Sequence, residues 1–286
     1  MYRKIIDVST YNGKIDWKKA VSNGVEGAII KIVNKQLERD SQFNNNYTGC
    51  HNQKIPWGVY NYSYATTATK ARNDMKVVCD ILDKLNKKYF SLGVWFDIED
   101  SCQAKLSKSK IAEIINAAQE VVEERGYNFG VYTGMAYYKA HIDASKVKCK
   151  NWWIARYYKG YETMKIGTNP NKNYFPPVVK NLFAWQYTSS GTIASGVSTG
   201  NGGKFDLNIQ YRDFPAKEEV KKKLYGRVAT KSDPLRMRTK ATIISKVVRK
   251  IPRGAKVEIL QKGKSWHKVK YAGSTGYCSA KYIKLL

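Results

Sequence analysis

Strand-like and helix-like runs alternate through the first 214 residues, and this alternation limits the fold more than any other feature. Short runs rich in β-branched and aromatic residues predict eight strands: Ile5–Ser9, Gly27–Ile32, Trp57–Tyr64, Ser91–Glu99, Asn128–Gly134, Trp152–Tyr157, Leu182–Thr188 and Phe205–Tyr211. Apolar residues spaced three and four apart predict amphipathic helices between them, most clearly after Ala68 and around Ile111. Eight strands alternating with helices favour a closed β/α barrel of the TIM-like class. Because the helix pattern fades after the fifth strand, we expect a partly degenerate barrel.

The pattern changes after Phe214-Pro215. Residues 215–223 predict a charged linker, and from residue 224 only short strands are indicated. Turn signals such as Pro252-Arg253-Gly254 and Lys262-Gly263 separate these strands. The sequence therefore predicts a large domain at 1–214, a linker at 215–223 and a small all-β barrel at 224–286.

Positive charge is concentrated in the tail. The chain carries 50 Lys and Arg against 23 Asp and Glu, and 20 of the former but only 4 of the latter follow Phe214. Such a field attracts polyanions, including nucleic acid, anionic membranes and anionic cell walls. The basic residues form no nucleic-acid recognition motif and the chain has no membrane-length apolar run. We therefore expect neither nucleic acid nor membrane as a partner.

Cysteine and histidine are too scattered to indicate a disulfide framework or a metal cluster. The five cysteines lie at least 23 residues apart and there are three histidines. We expect reduced thiols, no metal and no cofactor. Met1-Tyr2-Arg3-Lys4 leads directly into a strand, without the apolar stretch of about 7–15 residues typical of secretory signals. We therefore expect synthesis in the cytoplasm without a signal peptide, with any extracellular action depending on another route such as lysis.

Two carboxylates near the end of the fourth predicted strand are the strongest candidates for chemistry. Successive side chains of a strand point to opposite faces, so Asp97 and Glu99 share one face. Their mutual repulsion should raise one pKa and provide an acid and a base near neutral pH. A solvated acidic turn, extended by Asp100, is the alternative that this segment alone leaves open.

The predicted barrel brings further acids to the same place. Active sites lie at the C-terminal ends of barrel strands, which places Asp7 of the first strand and Asp206 of the last beside the acid pair. Aromatic and polar side chains lie on the other strands, and about half of them should face the helices instead: Tyr60, Tyr62, Tyr64, Tyr132, Trp152, Trp153, Trp185, Gln186 and Tyr187. A cleft of carboxylates and exposed rings, without a phosphate loop, points to glycoside hydrolysis.

Seven short segments, in order along residues 1–214, resemble the family 25 glycoside hydrolases, the Chalaropsis-type lysozymes (N-acetylmuramidases). They are Ile6-Asp7-Val8-Ser9 with Asn12-Gly13, Gly58-Val59-Tyr60-Asn61-Tyr62, Asp97-Ile98-Glu99, Gly130-Val131-Tyr132-Thr133, Trp153-Ile154-Ala155-Arg156, Trp185-Gln186-Tyr187 and Phe205-Asp206-Leu207-Asn208. The resemblance implies a flattened β/α barrel that cleaves the β-1,4 bond between N-acetylmuramic acid and N-acetylglucosamine. It implies Glu99 as proton donor, Asp97 as its partner, and Asp7 and Asp206 as supporting carboxylates.

Cleft-facing members of the same segments are expected to bind substrate: Tyr62, Tyr132, Trp153, Arg156 and Gln186. Thr10-Tyr11-Asn12-Gly13, Phe96 and Asp100 depart from the family's usual pattern, which affects substrate details rather than the acid pair. Two routes remain open after protonation. Asp97 either attacks the anomeric carbon or orients the substrate's 2-acetamido group, which then attacks.

The tail resembles bacterial SH3-like wall-targeting domains. The matching segments are Leu235-Arg236-Met237-Arg238, Ile251-Pro252-Arg253-Gly254 with Lys256-Val257, Trp266-His267-Lys268-Val269, Gly276-Tyr277 and Tyr282-Ile283. Small barrels of this kind offer aromatic grooves, so Trp266 and Tyr277 are the candidate wall-binding residues. The sequence thus favours a lysozyme of endolysin type that acts on bacterial peptidoglycan after release with a phage holin. It does not specify the oligomeric state, for which we expect a monomer. The alternatives are a bacterial autolysin of the same activity, or a basic non-catalytic protein that binds wall or nucleic acid.

Overall fold

A computed structural model shows a chain that divides into two compact units, residues 1–215 and 216–286. The structure describes residues 2–157, 164–176, 179–215 and 224–286. Apart from Pro215, the predicted linker at 215–223 lies outside these described residues. Among the helices of the described residues, none combines the length and the apolar character needed to span a membrane.

The first unit is a closed barrel of eight strands, which confirms the fold predicted from the alternating pattern. The strands are β1 (Arg3–Val8), β2 (Gly27–Lys31), β3 (Trp57–Tyr62), β4 (Phe90–Asp97), β5 (Phe129–Gly134), β6 (Trp152–Ala155), β7 (Leu182–Gly191) and β8 (Phe205–Gln210). Neighbours from β1 to β7 are parallel. Strand β8 runs antiparallel to both β7 and β1, a reversal that the sequence analysis did not foresee.

Helices cover only the earlier part of this barrel: α1 (Trp17–Ser22), α2 (Phe43–Asn52), α3 (Ala68–Asp83), α4 (Ser101–Ala104), α5 (Lys108–Glu124) and α6 (Met135–His141). The side chain of Asp16 caps α1 by accepting the Lys19 N–H at 2.9 Å. In the described residues of this unit after His141, only short 3₁₀ turns take the place of helices. The barrel is therefore degenerate on its later side.

Strand side chains alternate between the helix layer and the barrel interior. On β4, Val94 and Phe96 pack in the layer beneath the helices, whereas Trp95 packs in the interior. There the Trp95 ring lies 5.8 Å from Trp153 and 4.9 Å from Phe183, measured between ring centroids. These rings form a buried aromatic floor inside the barrel, beneath the ends of the strands.

The second unit is all-β, as predicted. Its strands are β9 (Leu224–Val228), β10 (Leu235–Arg238), β11 (Val247–Ile251), β12 (Lys256–Gln261), β13 (Trp266–Tyr271), β14 (Ser274–Ser279) and β15 (Ile283–Leu285). They form one sheet in the order β11-β10-β14-β13-β12-β9-β15. Alternate residues such as Met237, Val269 and Cys278 form a separate buried core, so this unit has its own apolar interior.

Candidate active site

Strand pairing brings Asp7 and Asp206 together. Asp7 lies near the C-terminal end of β1 and is paired with Asp206 in the antiparallel register of β1 and β8. Asp206 is the second residue of β8, so it lies at the start of a reversed strand rather than at the end of a parallel one. The reversal is what brings this carboxylate to the mouth formed by the C-terminal ends of the other strands.

Asp97 and Glu99 occupy the neighbouring part of the same mouth. Asp97 ends β4 and lies in register between Tyr62 of β3 and Tyr132 of β5. It is 4% exposed, and its Oδ1 has no hydrogen-bond partner among the described residues. Glu99 lies two residues further on and is half-buried, and its Oε2 accepts the N–H of Gly134 at 3.2 Å. The pair therefore combines one deeply buried carboxylate with one that is accessible to substrate.

Asp7 is held by two amide side chains. Its Oδ2 accepts the Nδ2–H of Asn208 at 2.8 Å and the Nε2–H of Gln186 at 2.9 Å. The Oε1 of Gln186 accepts the hydroxyls of Tyr132, at 2.8 Å, and Tyr157. Both amides therefore donate to Asp7, and the carboxyl group of Asp7 acts as the hydrogen-bond acceptor.

The orientation of Asn208 follows from the floor of the barrel. Its Oδ1 accepts the indole N–H of Trp153 at 2.7 Å. An indole nitrogen only donates, so the Asn208 oxygen must face Trp153 and the amide nitrogen must face Asp7. Trp153 thus fixes the orientation of Asn208, and Asn208 in turn donates a hydrogen bond to Asp7.

Burial raises the pKa of each carboxyl group in the mouth. The pKa of Asp7 rises to about 6 through burial, against the opposing hydrogen bonds from Asn208 and Gln186. Burial, followed by the charge of Asp7, raises the pKa of Asp206 well above its ordinary range. Burial and then repulsion from Glu99 do the same to the pKa of Asp97, and burial raises the pKa of Glu99. The mouth therefore retains protons at a pH where exposed carboxyl groups have lost theirs.

Lys31 is a cation in this acidic mouth that the sequence analysis did not select. It ends β2, its Nζ lies 5.8 Å from the centroid of the Tyr62 ring, and its charge opposes the rise in the pKa of Asp97. Since Ile29 points into the barrel, period-two alternation would have placed Lys31 on the same face. Asn208 lies on the inward face of β8 by the same rule.

Asp100 belongs to a different environment from the acid pair. Its side chain caps α4 by accepting the Cys102 N–H at 2.9 Å, which holds the pKa of Asp100 below its usual range. It also accepts the hydroxyl of Tyr62 at 3.2 Å. The acidic run thus divides into two cleft carboxylates and one helix cap, rather than forming a single solvated turn.

The candidate substrate-binding residues fall into three places. Tyr62 is half-buried at the rim, and Tyr132 and Gln186 form part of the hydrogen-bond network around Asp7. Trp153 has no exposed surface, so its ring supports the floor and is not a stacking surface. Arg156 donates to the Phe175 carbonyl at 2.7 Å and lies over the Tyr174 ring, and none of its contacts in the described residues reaches the acids. Because the Trp153 ring is buried, it does not offer the stacking surface expected of it. A contact between Arg156 and substrate stays a prediction.

The two tail candidates lie on one face of the second unit. Trp266 of β13 lines a cavity of about 620 Å³, together with Tyr282 and several basic side chains. Tyr277 of β14 shares this outer face, because Cys278 beside it points into the core, but it does not line the cavity. The structure thus places Trp266 in a groove and leaves Tyr277 outside it.

Comparisons with known proteins point to one family. A family model described as glycosyl hydrolases family 25 matches residues 6–196, and one for the bacterial SH3 domain matches residues 233–284. The autolytic lysozyme of Clostridium acetobutylicum is 24% identical over 196 residues, which cover 68% of this chain and 53% of that protein. An N,O-diacetylmuramidase of Arthroderma benhamiae is 31% identical over 68 residues, 24% of this chain and 29% of that protein. The chain thus spans about half or less of the length of these curated relatives.

Solved structures share the barrel. The modular autolysin LytC from Streptococcus pneumoniae, in complex with synthetic peptidoglycan ligand, is 25% identical with a TM-score of 0.54, covering 73% of this chain and 47% of that one. A family 25 glycosyl hydrolase from Bacillus anthracis is 19% identical with a TM-score of 0.56, covering 73% and 89%. The catalytic domain of endolysin ply40 from bacteriophage P40 of Listeria monocytogenes is 20% identical with a TM-score of 0.55, covering 74% and 94%. The last two likenesses bear on the fold alone.

Proposed function

Since the chain belongs to the glycosyl hydrolases family 25, we propose that it is a peptidoglycan hydrolase of the lysozyme type. The observation that carries this proposal is the pairing of buried Asp97 with accessible Glu99 at one barrel mouth, beside Asp7 and Asp206. We assign the reaction as cleavage of the β-1,4 bond between N-acetylmuramic acid and N-acetylglucosamine. Relatives named as a lysozyme and a muramidase support this assignment.

Glu99 acts as the general acid. Burial raises its pKa, so it retains a proton that passes to the glycosidic oxygen as the C–O bond breaks. Glu99, now ionised, then takes a proton from the water that completes hydrolysis. The Gly134 N–H stabilises this ionised form and holds the carboxyl group in place.

Asp97, whose ionised form is favoured by the charge of Lys31, stabilises the positive charge that develops at the anomeric carbon. Its unpartnered Oδ1 is free either to attack that carbon or to accept the N–H of the substrate's 2-acetamido group, whose oxygen then attacks. The two routes differ in whether a sugar becomes bonded to the protein. Mass spectrometry after treatment with a slow 2-fluoro glycoside distinguishes them, because only direct attack by Asp97 adds the sugar mass.

Bond choice is tested by digesting purified bacterial walls with the full-length protein and reducing the products with borohydride. Cleavage after muramic acid should place muramitol at the new ends. Glucosaminitol at those ends, or free amines from cut peptides, would contradict the proposal. The Glu99→Gln variant is the matched control, because it should release neither product.

We also propose a division of labour between the two parts of the chain. Residues 1–214 form the catalytic domain and residues 224–286 the wall-binding domain, as the bacterial SH3 domain match at 233–284 supports. The protein would act as an endolysin that reaches the wall after release with a holin, or alternatively as a bacterial autolysin. Expression in a bacterial host with and without a holin separates the two, since an endolysin of this kind should cause lysis only when the holin is present.

A further inference from the structure

A basic groove lies wholly within the second unit, far along the chain from the catalytic acids. Its volume is about 620 Å³, and two aromatic rings and four cationic side chains line it: Trp266, Tyr282, Lys231, Arg236, Arg238 and Lys281. Asp233 is the one carboxylate among the lining residues. We use the name basic groove for this set.

The cations of the basic groove lack ion-pair partners in the part of the chain that the structure describes. Within the described residues, Arg236, Lys231 and Lys281 form no ion pair. The surroundings offer little compensation, because residues 224–286 contain 16 Lys and Arg against only Asp233 and Glu258. Unpaired cations around a concave surface attract and retain an anionic ligand more strongly than the same charges spread over a convex one.

The arrangement of the two arginines indicates the kind of anion. Arg236 and Arg238 point to one face of β10, because Met237 between them is buried in the core. Alternate residues on a strand lie about 7 Å apart. Arg238 also donates to the Ser245 carbonyl at 2.6 Å, which fixes its guanidinium and leaves its other donors available. A guanidinium group binds phosphate through paired hydrogen bonds. Two guanidinium groups at this spacing therefore suit a polymer that carries one phosphate in each short repeat.

We propose that the basic groove binds the phosphodiester backbone of an anionic cell-wall polymer of the polyol-phosphate type. The rings of Trp266 and Tyr282 cover the carbon atoms between successive phosphates, and the cations pair with the phosphates. Peptide stems of peptidoglycan fit less well, because they carry amines as well as carboxylates and four cations to one carboxylate repel an amine. This inference rests on the proposed function only in taking a bacterial wall as the place of action.

The first test measures binding of full-length protein to soluble poly(glycerol phosphate) by calorimetry. The double variant Arg236→Gln/Lys281→Gln should weaken binding about tenfold or more, because hydrogen bonds to charged groups are lost. The double variant Lys262→Gln/Lys284→Gln removes the same charge from exposed positions outside the groove and should change affinity less than about threefold by screening. Equal losses in both variants, or no loss in the first while its melting temperature is unchanged, would overturn the proposal.

Competing polyanions test the chemical class. Poly-glutamate of matched charge should bind at least about tenfold more weakly than poly(glycerol phosphate), since carboxylates alone do not reproduce the phosphate repeat. Equal binding of poly-glutamate would reduce the groove to a general polyanion site. Tighter binding of single-stranded DNA would assign it to nucleic acid. Either result would overturn the wall-polymer assignment.

Cleavage of a soluble glycan by the same variants separates this inference from the proposed function. Both double variants should cut soluble glycan at the parent rate, because their substitutions lie outside the barrel. Full cleavage with polymer binding that does not depend on Arg236 and Lys281 would overturn the groove and leave the enzyme assignment intact. Groove-dependent binding by a protein that cuts no glycan would support the groove and refute the enzyme assignment.

Discussion

Under the proposed mechanism, catalysis at this mouth depends on the proton that Glu99 carries. Replacing Glu99 with Gln removes that proton but retains an oxygen that accepts the Gly134 N–H. We expect wall cleavage to fall by about 10²–10⁴-fold, the usual contribution of general acid catalysis, with little change in melting temperature. Release of reducing ends from purified walls measures the effect.

Asp100 provides the matched control for Glu99. Asp100→Asn also removes a negative charge from the same segment, but Asn caps helices as well as Asp does. Most of the activity should remain. Near-full activity in a folded Glu99→Gln protein, or equal losses in both variants, would contradict the assignment of Glu99.

Asp7 makes the folded state sensitive to pH in an unusual direction. Its pKa rises from 3.8 to about 6 on folding, so its stabilising contribution is complete below pH 3.8 and is lost as the pH rises through 6. Asp7→Asn removes this dependence, and Asn Oδ1 can still accept from Gln186 and Asn208. We expect the variant to be more stable than the parent at pH 7.5, by at most about 3 kcal/mol, with a smaller difference near pH 4. Urea unfolding at both pH values measures this.

A loss of stability of the same size at both pH values would show that Asp7→Asn breaks the hydrogen-bond network rather than relieving a buried charge. The stabilised variant should lose wall cleavage, because the supporting carboxylate is gone. Higher stability with lower activity would identify Asp7 as a residue whose burial is costly for the fold and useful for the reaction.

At the scale of elements, the direction of a strand determines whether its site residues can be placed at the mouth from the sequence. Alternation alone puts Asp97 and Glu99 on one face and Asp7 in the interior, so these positions follow from a period of two. Asp206 is different, because its height along the barrel depends on the direction of β8. In a parallel strand the second residue would lie at the end opposite the mouth. The one clue is the Gly- and Ser-rich segment 192–204, which lacks the helix that a parallel crossover normally contains.

Depth within the barrel is the other feature that the sequence does not specify. Trp153 faces inward as alternation predicts, yet it is fully buried and reaches the site only through Asn208. A register shift in the pairing of β6 with β7 falls between Trp152 and Trp153, at the point where this ring enters the interior. A shift of this kind depends on the pairing of two distant segments, so no local pattern predicts which inward ring touches substrate.

Strand β5 offers a test of the floor. A Cβ added at Gly130 would lie 2.2 Å from the ring of Trp95, which is itself packed against Trp153 and Phe183. Gly130→Ala should therefore lower the free energy of unfolding by about 1–3 kcal/mol. Gly134→Ala, on the same strand and face, meets only Glu99 Oε2 at 3.6 Å and should have little effect. Urea denaturation measures the free energy of unfolding of both variants. Equal values for Gly130→Ala and Gly134→Ala would mean that the Trp95 ring moves aside without cost.

At the scale of the whole molecule, the two units differ in charge as well as in structure. Residues 1–214 carry a net charge of +11 and the remaining residues +16, although the second part is about a third as long. The acids proposed for catalysis all precede Pro215, and the basic groove lies after it. Chemistry and residence at the wall can therefore be separated experimentally.

A fragment of residues 1–214 should fold, because all eight barrel strands and both layers of their core lie within it. It should cut soluble glycan fragments at the rate of the full-length protein. It should act more slowly on intact walls, because it lacks the tail that keeps the full-length protein bound there.

Added salt should reduce this difference in rate on intact walls, since charges further apart than about 8 Å are largely screened at physiological ionic strength. The deficit should not vanish, because direct contacts with Arg236 and stacking on Trp266 persist in salt. A deficit that disappears in salt would mean that the tail acts through net charge alone. Equal rates for fragment and full-length protein on intact walls, at low and high salt alike, would rule out a targeting role for the tail.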